Sequence, residues 1–516
     1  MTDRAVSGGA GQPRFQLAMI TFGTMLATIM QALDTTIANV ALPYMQGAFS
    51  ATLDQITWVL TSYIVAAAIM TPPTGWLAAR FGRKRLYLVS VVGFTVASVF
   101  CGIAGSLTEM VVFRIIQGCF GAALVPLSQA TLLDNYPTSR HGQAMAIWGV
   151  GIMLGPILGP TLGGWLTENY SWRWVFYINV PVGILGFMVI ASYVSETARN
   201  VRLKFDLFGF LAISIAVAAL QMFLDRGQQL DWFGSYEIVI EAIIAALCLY
   251  TFLVHTFTAE RPFISPSLFR DWNFSLSLIF IFVVGMILYA TMALLPPFMQ
   301  ELLNYPVVTV GFLLAPRGIG TMIAMMIVGR IIGPVQPRFL LVFGFALNAV
   351  ALWWMSTFSL YILPWEVFAS GVVQGFGLGF VFVPLTTVGF STLAPERRTE
   401  GAGVYNLLRN IGSSVGISIV AALLERNTQI NHATIGAVAT PFNPMFRLPL
   451  VEHLFNLHTA SGLTMLNAEV TRQAAMIGYI DDFRLMMYLS LAVLPFILLL
   501  GKPPRGRGLP AAALAD

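Results

Sequence analysis

The sequence predicts an all-α integral membrane protein with two six-helix bundles and an inserted helix pair, fourteen transmembrane helices in all. Three observations predict it. First, the 516 residues are 57% hydrophobic and only 10% charged, where a soluble domain carries about 25% charged residues. Second, apolar runs long enough to cross the hydrocarbon as a helix, about 20 residues each, recur along the whole chain. Third, the two ends of the chain repeat one another at a displacement of about 255 residues.

The apolar runs lie at roughly 16–42, 54–78, 86–105, 108–132, 142–166, 174–194, 207–224, 237–257, 275–298, 307–329, 339–358, 364–390, 401–424 and 485–501. The first is too long for the core of a cleaved signal peptide and reads as a retained span. Basic residues set the orientation. Arg80, Arg83, Lys84, Arg85, Arg140, Arg199, Arg202, Lys204, Arg261, Arg270, Arg330, Arg338, Arg397 and Arg398 fall in alternate loops, together with Arg4, Arg14, Lys502, Arg505 and Arg507 of the tails. The intervening short loops hold only Arg173 and Arg226. This alternation predicts an even span count and both termini in the cytoplasm. The expected organisation is a tail 1–15, a first bundle 16–200, an inserted pair 201–262, a second bundle 263–501 that includes an extracytoplasmic segment 425–484, and a tail 502–516.

The repeat supports this division. Ile116-Gln117-Gly118, then Gly121 and Val125-Pro126-Leu127-Ser128, recurs as Val373-Gln374-Gly375, Gly377 and Val383-Pro384-Leu385-Thr386. Ala41-Leu42-Pro43-Tyr44-Met45-Gln46 recurs as Leu295-Pro296-Pro297-Phe298-Met299-Gln300. The copies differ in charge: Asp34 corresponds to Leu288, and Arg114 to Gly371. Buried charges placed on one side only favour chemistry over generic packing.

Several function classes are excluded or disfavoured. No Gly-x-x-x-x-Gly-Lys-Ser/Thr loop occurs, and the only Gly-Lys pair, Gly501-Lys502, runs into two prolines; the chain has no visible means of using ATP itself. There is no Rossmann fingerprint. Cys101, Cys119 and Cys248 fall inside apolar segments as small packing residues. His432, His453 and His458 of segment 425–484 are irregularly spaced without cysteines, so no metal and no cofactor is expected. Energy must come from an ion gradient or a partner.

Asp34 is the only acid placed well inside an expected span, where a carboxylate costs roughly 2.5–3.5 kcal/mol and needs a partner, water or a proton. Gln31, Asp34 and Thr35 share one helix face. At 1.5 Å per residue, Asp34 lies roughly 13 Å, Arg114 roughly 9 Å and Arg317 roughly 15 Å from the outer ends of their helices. One layer can therefore hold all three, which makes Arg114 a candidate partner of Asp34. The alternatives are a structural acid satisfied by its neighbours, and an Arg114 that clamps backbone carbonyls. In the second bundle, Tyr405, Asn406, Arg409 and Asn410 form a polar face, with Arg317 beside Pro316 and Gly318. Trp58, Tyr63, Trp148, Tyr289 and Phe376, with Gln117 and Gln374, are candidates to line a substrate cavity; packing is the other reading of each aromatic.

Five stretches in order carry a resemblance. Leu33-Asp34-Thr35-Thr36-Ile37-Ala38-Asn39-Val40-Ala41-Leu42-Pro43 resembles a first-helix motif, and Gly75-Trp76-Leu77-Ala78-Ala79-Arg80-Phe81-Gly82-Arg83-Lys84 a loop motif between helices two and three. Arg114-Ile115-Ile116-Gln117-Gly118 resembles a fourth-helix motif, and Gly155-Pro156 with Gly159-Pro160-Thr161-Leu162-Gly163-Gly164 a fifth-helix antiporter motif. Trp172-Arg173-Trp174-Val175-Phe176-Tyr177-Ile178-Asn179-Val180-Pro181 completes the set. Together they resemble the major facilitator superfamily, in particular its 14-span drug:proton antiporters of the EmrB/QacA type.

The resemblance implies a non-enzymatic, proton-coupled exporter of amphipathic compounds working by alternating access in the bacterial inner membrane. It assigns proton coupling to Asp34 and Arg114, and gating to Gly75, Arg80, Gly82, Arg83, Lys84, Gly155, Pro156, Gly159, Pro160, Gly163 and Gly164. It also implies a periplasmic membrane-fusion adaptor and an outer-membrane channel as partners, for which segment 425–484 is a candidate surface. Ala79 stands where the loop motif usually has Asp, which puts in question the charge relay assigned to that acid. A dedicated exporter of one metabolite, such as a siderophore or aromatic acid, is the alternative. A non-transporting sensor is disfavoured by the asymmetric interior charges and by tails of only about 15 residues.

Overall fold

The computed structural model describes residues 14–137, 140–197, 199–200, 205–260, 262–394, 397–440, 442–448, 451, 455–457 and 459–501. Among these residues the regular structure is all helix, and they fall into two compact units, one within Met1–Phe210 and Leu393–Gly403, the other within Leu211–Thr392 and Val404–Pro504.

In the first unit, α1 (Arg14–Phe49) is 36 residues long, about 54 Å, which exceeds the hydrocarbon thickness. A capping box of Thr52 and Gln55 opens α2 (Leu53–Met70). Pro72 and Pro73 then break the chain, and α3 (Thr74–Phe81) leaves at 55° to α2, because prolines interrupt the backbone ladder. Gly82, at φ 96°, turns the chain into α4 (Arg83–Ile103), a left-handed conformation that glycine adopts at little cost. Next come α5 (Leu107–Gly121), capped by Ser106, and α6 (Leu124–Asn135), which continue one span. α7 (His141–Asn169), α8 (Trp174–Tyr177) and α9 (Asn179–Tyr193) complete the unit. Its core holds Tyr63, Tyr87 and Phe94 in one cluster and Leu33, Ile37, Cys101 and Phe176 in another.

α10 (Leu207–Arg226) crosses from the first unit into the second, which continues with α11 (Tyr236–Thr258), α12 (Trp272–Pro297), a π-helical turn (Phe298–Leu302), α13 (Val307–Ile331), α14 (Pro337–Met355) and α15 (Pro364–Ser391). It ends with most of α16 (Arg398–Val438) and with α17 (Ala460–Ile497). Phe298, Phe358, Tyr479 and Phe483 share one hydrophobic cluster of this unit.

Among the described residues, twelve helices are long and apolar enough to span, and α2 with α3 makes a thirteenth as a bent pair. The fourteenth expected span, 485–501, falls in α17, whose apolar stretch begins beside Asp481, Asp482 and Arg484 and whose helix stops at Ile497. Segment 425–484 is more helical than a connecting loop. α16 runs 41 residues to Val438 and α17 starts at Ala460. Gly478 lies against Leu424 and Thr428, and His432 bonds Asn467 at 3.0 Å. The end of an apolar run marks the end of the hydrocarbon, not of the helix, and two such extensions continue by packing on each other. His453 and His458 lie outside the described residues.

Candidate functional site

α1 buries Asp34 completely in the first unit. Its Oδ2 accepts from Arg114 at 2.7 Å, and its Oδ1 accepts from Gln117 Nε2 at 2.8 Å and Asn179 Nδ2 at 2.9 Å. Ser98 Oγ accepts from the same two amides, at 2.7 Å from Gln117 and 3.3 Å from Asn179. The helices deliver these groups by register: Arg114 and Gln117 are one turn apart on α5, Ser98 lies on α4, and Asn179 opens α9.

Arg114 is held from several sides. Its Nε donates to the Val59 carbonyl at 2.9 Å, and its terminal nitrogen also reaches Gln117 Oε1 at 2.7 Å. The guanidinium carbon lies 4.2 Å from the centre of the Tyr63 ring and 5.7 Å from that of Phe176, a cation–π arrangement strengthened by the burial of Arg114. A buried ion pair is favourable only where its remaining donors and acceptors are satisfied, and this one has that shell. Sequence reasoning singled out Asp34, Arg114, Gln117 and Tyr63 but missed Ser98 and Asn179. Asn179 was legible as a polar residue inside the apolar Trp172–Pro181 stretch; Ser98 gave no signal beyond being small and polar.

Of the other candidates in this unit, Gln31 and Trp58 are half-buried, and Thr35 turns its hydroxyl back to the Ala32 carbonyl at 2.8 Å. Trp148 is 1% exposed and donates to Ser128 at 2.9 Å, which also takes a bond from Thr28 at 2.8 Å. α7 lies against α1 through the glycines: a Cβ at Gly155 would overlap the Ala32 backbone, one at Gly159 the Thr36 hydroxyl, and one at Gly163 would come within 2.9 Å of Ile37. Gly164 is open, its nearest neighbour being 4.0 Å away. The helix continues through Pro156 and Pro160, whose side chains lie outside the described residues.

The second unit places Arg317 at 6% exposure, donating to the Leu288 carbonyl at 3.2 Å and Thr291 Oγ1 at 2.7 Å. Leu288 is the repeat counterpart of Asp34. Gln374, the counterpart of Gln117, donates to the same Thr291 at 3.3 Å. Arg409 is 8% exposed, and among the described residues neither arginine has a carboxylate partner. Tyr405 and Asn406 are buried on the same helix as Arg409, and Tyr289 is half-buried.

The basic loop of the first unit is anchored by acids that sequence reasoning overlooked. Asp134, at the end of α6, pairs with both Arg83 and Arg398, the latter at 3.0 Å, and Arg83 also donates to Thr399 at 2.9 Å. Glu196 caps the start of α4 by accepting from the Lys84 and Arg85 amides at 3.0 and 3.3 Å, a favourable site for a carboxylate at a helix N-terminus. Ala79 contributes only its carbonyl, which accepts from the Asn200 amide at 2.9 Å. Gly75 is pressed on Glu400, where a Cβ would come within 2.7 Å of its Cα. Arg80 lies 5.5 Å from the Trp76 ring centre. Asp134→Ala is expected to lower the melting temperature in detergent more than Arg398→Ala. The first strands two arginines whose side chains are only 10% and 12% exposed, whereas the second leaves the Arg83–Asp134 pair intact.

Residues 24–417 match the Major Facilitator Superfamily model. The chain is 36% identical to multidrug export protein EmrB of Escherichia coli (strain K12), over 96% of this chain and 97% of that one. It is also 36% identical to fatty acid resistance protein FarB of Neisseria gonorrhoeae, over 95% and 96%. Its fold is similar to that of the human organic anion transporter MFSD10 (TETRAN), with a TM-score of 0.58 at 15% identity, covering 93% of this chain and 100% of that one. The apolar helices, the internal repeat, the ordered motifs and these matches agree: the chain belongs to the Major Facilitator Superfamily.

Proposed function

We propose that this protein is a proton-driven secondary exporter of small amphipathic compounds, with Asp34 as its proton carrier and Arg114 as the counter-charge. The observation that supports it is a carboxylate fully buried in a transmembrane helix and tied to one arginine by a 2.7 Å bond. Protonation of Asp34 removes the charge that holds Arg114 there. Arg114 keeps the Val59 carbonyl, Gln117 Oε1 and the Tyr63 face in either state, so the neutral acid does not leave a bare buried cation. Such a pair can cycle between bound and released forms as access alternates. Each charge crossing 100 mV supplies about 2.3 kcal/mol to drive export.

Relatives named for multidrug export and for fatty acid resistance point to amphipathic cargo. Arg317 and Arg409, buried cations with no carboxylate partner among the described residues, favour acidic compounds among them. The same observation supports the second reading, a dedicated exporter of a single acidic metabolite. The alternation of the basic loops supports a reading with both termini in the cytoplasm of a bacterial cell, and the paired extensions of α16 and α17 support a role for segment 425–484 as the surface that meets a periplasmic adaptor.

The test is efflux in inverted vesicles followed with a pH-sensitive dye. Proton movement on adding many unrelated amphipathic compounds is expected from the native chain and not from Asp34→Asn. A response to one acid alone selects the dedicated exporter, and native behaviour in Asp34→Asn would sink the proton assignment.

A further inference from the structure

The second unit contains a buried carboxyl that the proposed transport cycle does not use. Asp482 on α17 is 0% exposed, and neither Oδ atom has a hydrogen-bond partner among the described residues. Tyr479 and Met486, at i−3 and i+4, share its helix face and belong to one hydrophobic cluster of that unit, with Phe298, Met355 and Phe358. All five residues just named are at most 4% exposed, so the carboxyl is set in an apolar surround. Tyr479 stacks edge-on to Phe298 at 5.3 Å, and the adjacent Phe483 packs on Phe358 at 6.1 Å.

This turn closes segment 425–484, just before the apolar run of the expected last span, 485–501. Asp481 and Arg484, which flank it, are 40% and 53% exposed and pair with each other at 3.6 Å, and the apolar run of α17 starts after them. About eight residues further along, some 12 Å away, Ser490 donates to the Phe345 carbonyl at 2.9 Å and pins α17 to α14.

Among the described residues, the groups near Asp482 offer no counter-cation. On α17 they are Tyr479, Asp481 and Arg484, and Arg484 is taken by Asp481. The π-helical turn contributes Glu301, which acts on Tyr479. Of the other helices against α17, α14 carries Arg338 at its opposite end and α12 carries Tyr289. The nearby part of α16 carries Glu425 and Arg426, both exposed. An ionised carboxylate with no donor in an apolar surround is costly, and such a group takes up a proton instead. Burial, with Asp481 adding to it, pushes the Asp482 carboxyl from an ordinary 3.8 up to about 8.

We propose that Asp482 is a second proton-binding site of this protein, a carboxylic acid whose neutral form seats α17 on α14 and the π-helical turn. It is independent of Asp34, which belongs to the first unit. Its ionisation at alkaline pH inserts a charge into that seam and loosens it. The sign follows from linkage: the folded state holds a proton that the unfolded chain has already lost, so stability falls as pH rises from about 4 to about 8.

The experiment uses the full-length protein in detergent. Infrared spectra of native protein carrying isotope-labelled aspartate are expected to show a protonated carboxyl band near neutrality that disappears as pH rises through about 8. That band is expected to be missing in Asp482→Asn and still to titrate in Asp34→Asn. The native melting temperature should drop by a few degrees between about pH 5 and about pH 8, and that of Asp482→Asn should be flat and higher at the alkaline end. An unchanged band in Asp482→Asn, or an unchanged pH slope, overturns the proposal. A uniform destabilisation of that variant at every pH does so too, since it would reveal an ionised carboxylate with a partner. The titration of the labelled native protein decides the question should the variant fail to fold.

Discussion

Asp34→Asn is expected to abolish substrate-driven proton movement and to destabilise the protein as well, and the two effects separate in a double variant. Asparagine preserves the shape of Asp34 but places an amide where Arg114, Gln117 and Asn179 all donate. Removing one partner of a buried ion pair costs about 3–5 kcal/mol where the other charge is left wholly uncompensated; Arg114 keeps the Val59 carbonyl, Gln117 Oε1 and the Tyr63 face, which sets the expected loss at or below the lower end of that range. Arg114→Gln alone strands the carboxylate in the same way, although two amide donors remain on it. Asp34→Asn combined with Arg114→Gln removes both charges, so its loss of stability should be smaller than the sum of the single losses by about 1–3 kcal/mol. Transport should not recover, because the titrating group is gone. Melting curves of the four proteins in one detergent give the coupling, and vesicle efflux gives the function. Additive losses would remove the pair from the stability argument; proton-driven efflux by the double variant would remove Asp34 from the mechanism.

Much of this arrangement was legible in the sequence, for physical reasons that differ between elements. The spans follow from hydrocarbon thickness, so they are written in composition. Asp34 and Arg114 stood out because charge inside a span is expensive. Ser98 did not, because a small hydroxyl in a span can bond its own helix and carries no signal of its partner. Asp482 escaped because it sits three residues before an apolar run, where the sequence reads as an ordinary interface turn beside Asp481 and Arg484. Only the packing of α17 on α14 turns one of these two acids inward and leaves the other exposed. Asp134 and Glu196 escaped for a related reason: the loop motif draws attention to position 79, while the acids that hold its arginine and cap its helix come from α6 and from the stretch after α9.

The glycines of α7 support the second large prediction. In Gly155→Ala the new methyl has no room, because it would overlap the backbone of Ala32 rather than the end of a flexible side chain. The only relief is to push α1 away from α7. Overpacking of this kind costs about 1–3 kcal/mol and sometimes more, and here it acts two residues before Asp34, on the helix that positions the carboxylate. Thr36 adds to the seam by donating to the Gly155 carbonyl at 3.0 Å. Gly164→Ala, in the same motif, meets nothing closer than Val40 at 4.0 Å and gains helix propensity of about 1 kcal/mol. The expected order is therefore a marked loss of folded, monodisperse protein and of efflux for Gly155→Ala, and native-like or slightly higher stability with retained efflux for Gly164→Ala. A motif whose role is bending would respond differently: either alanine would stiffen the helix, and both variants would lose transport while keeping their fold. Size-exclusion profiles, melting temperatures and vesicle efflux of the two variants distinguish close packing from pliancy, and equal behaviour of the pair would sink the packing account.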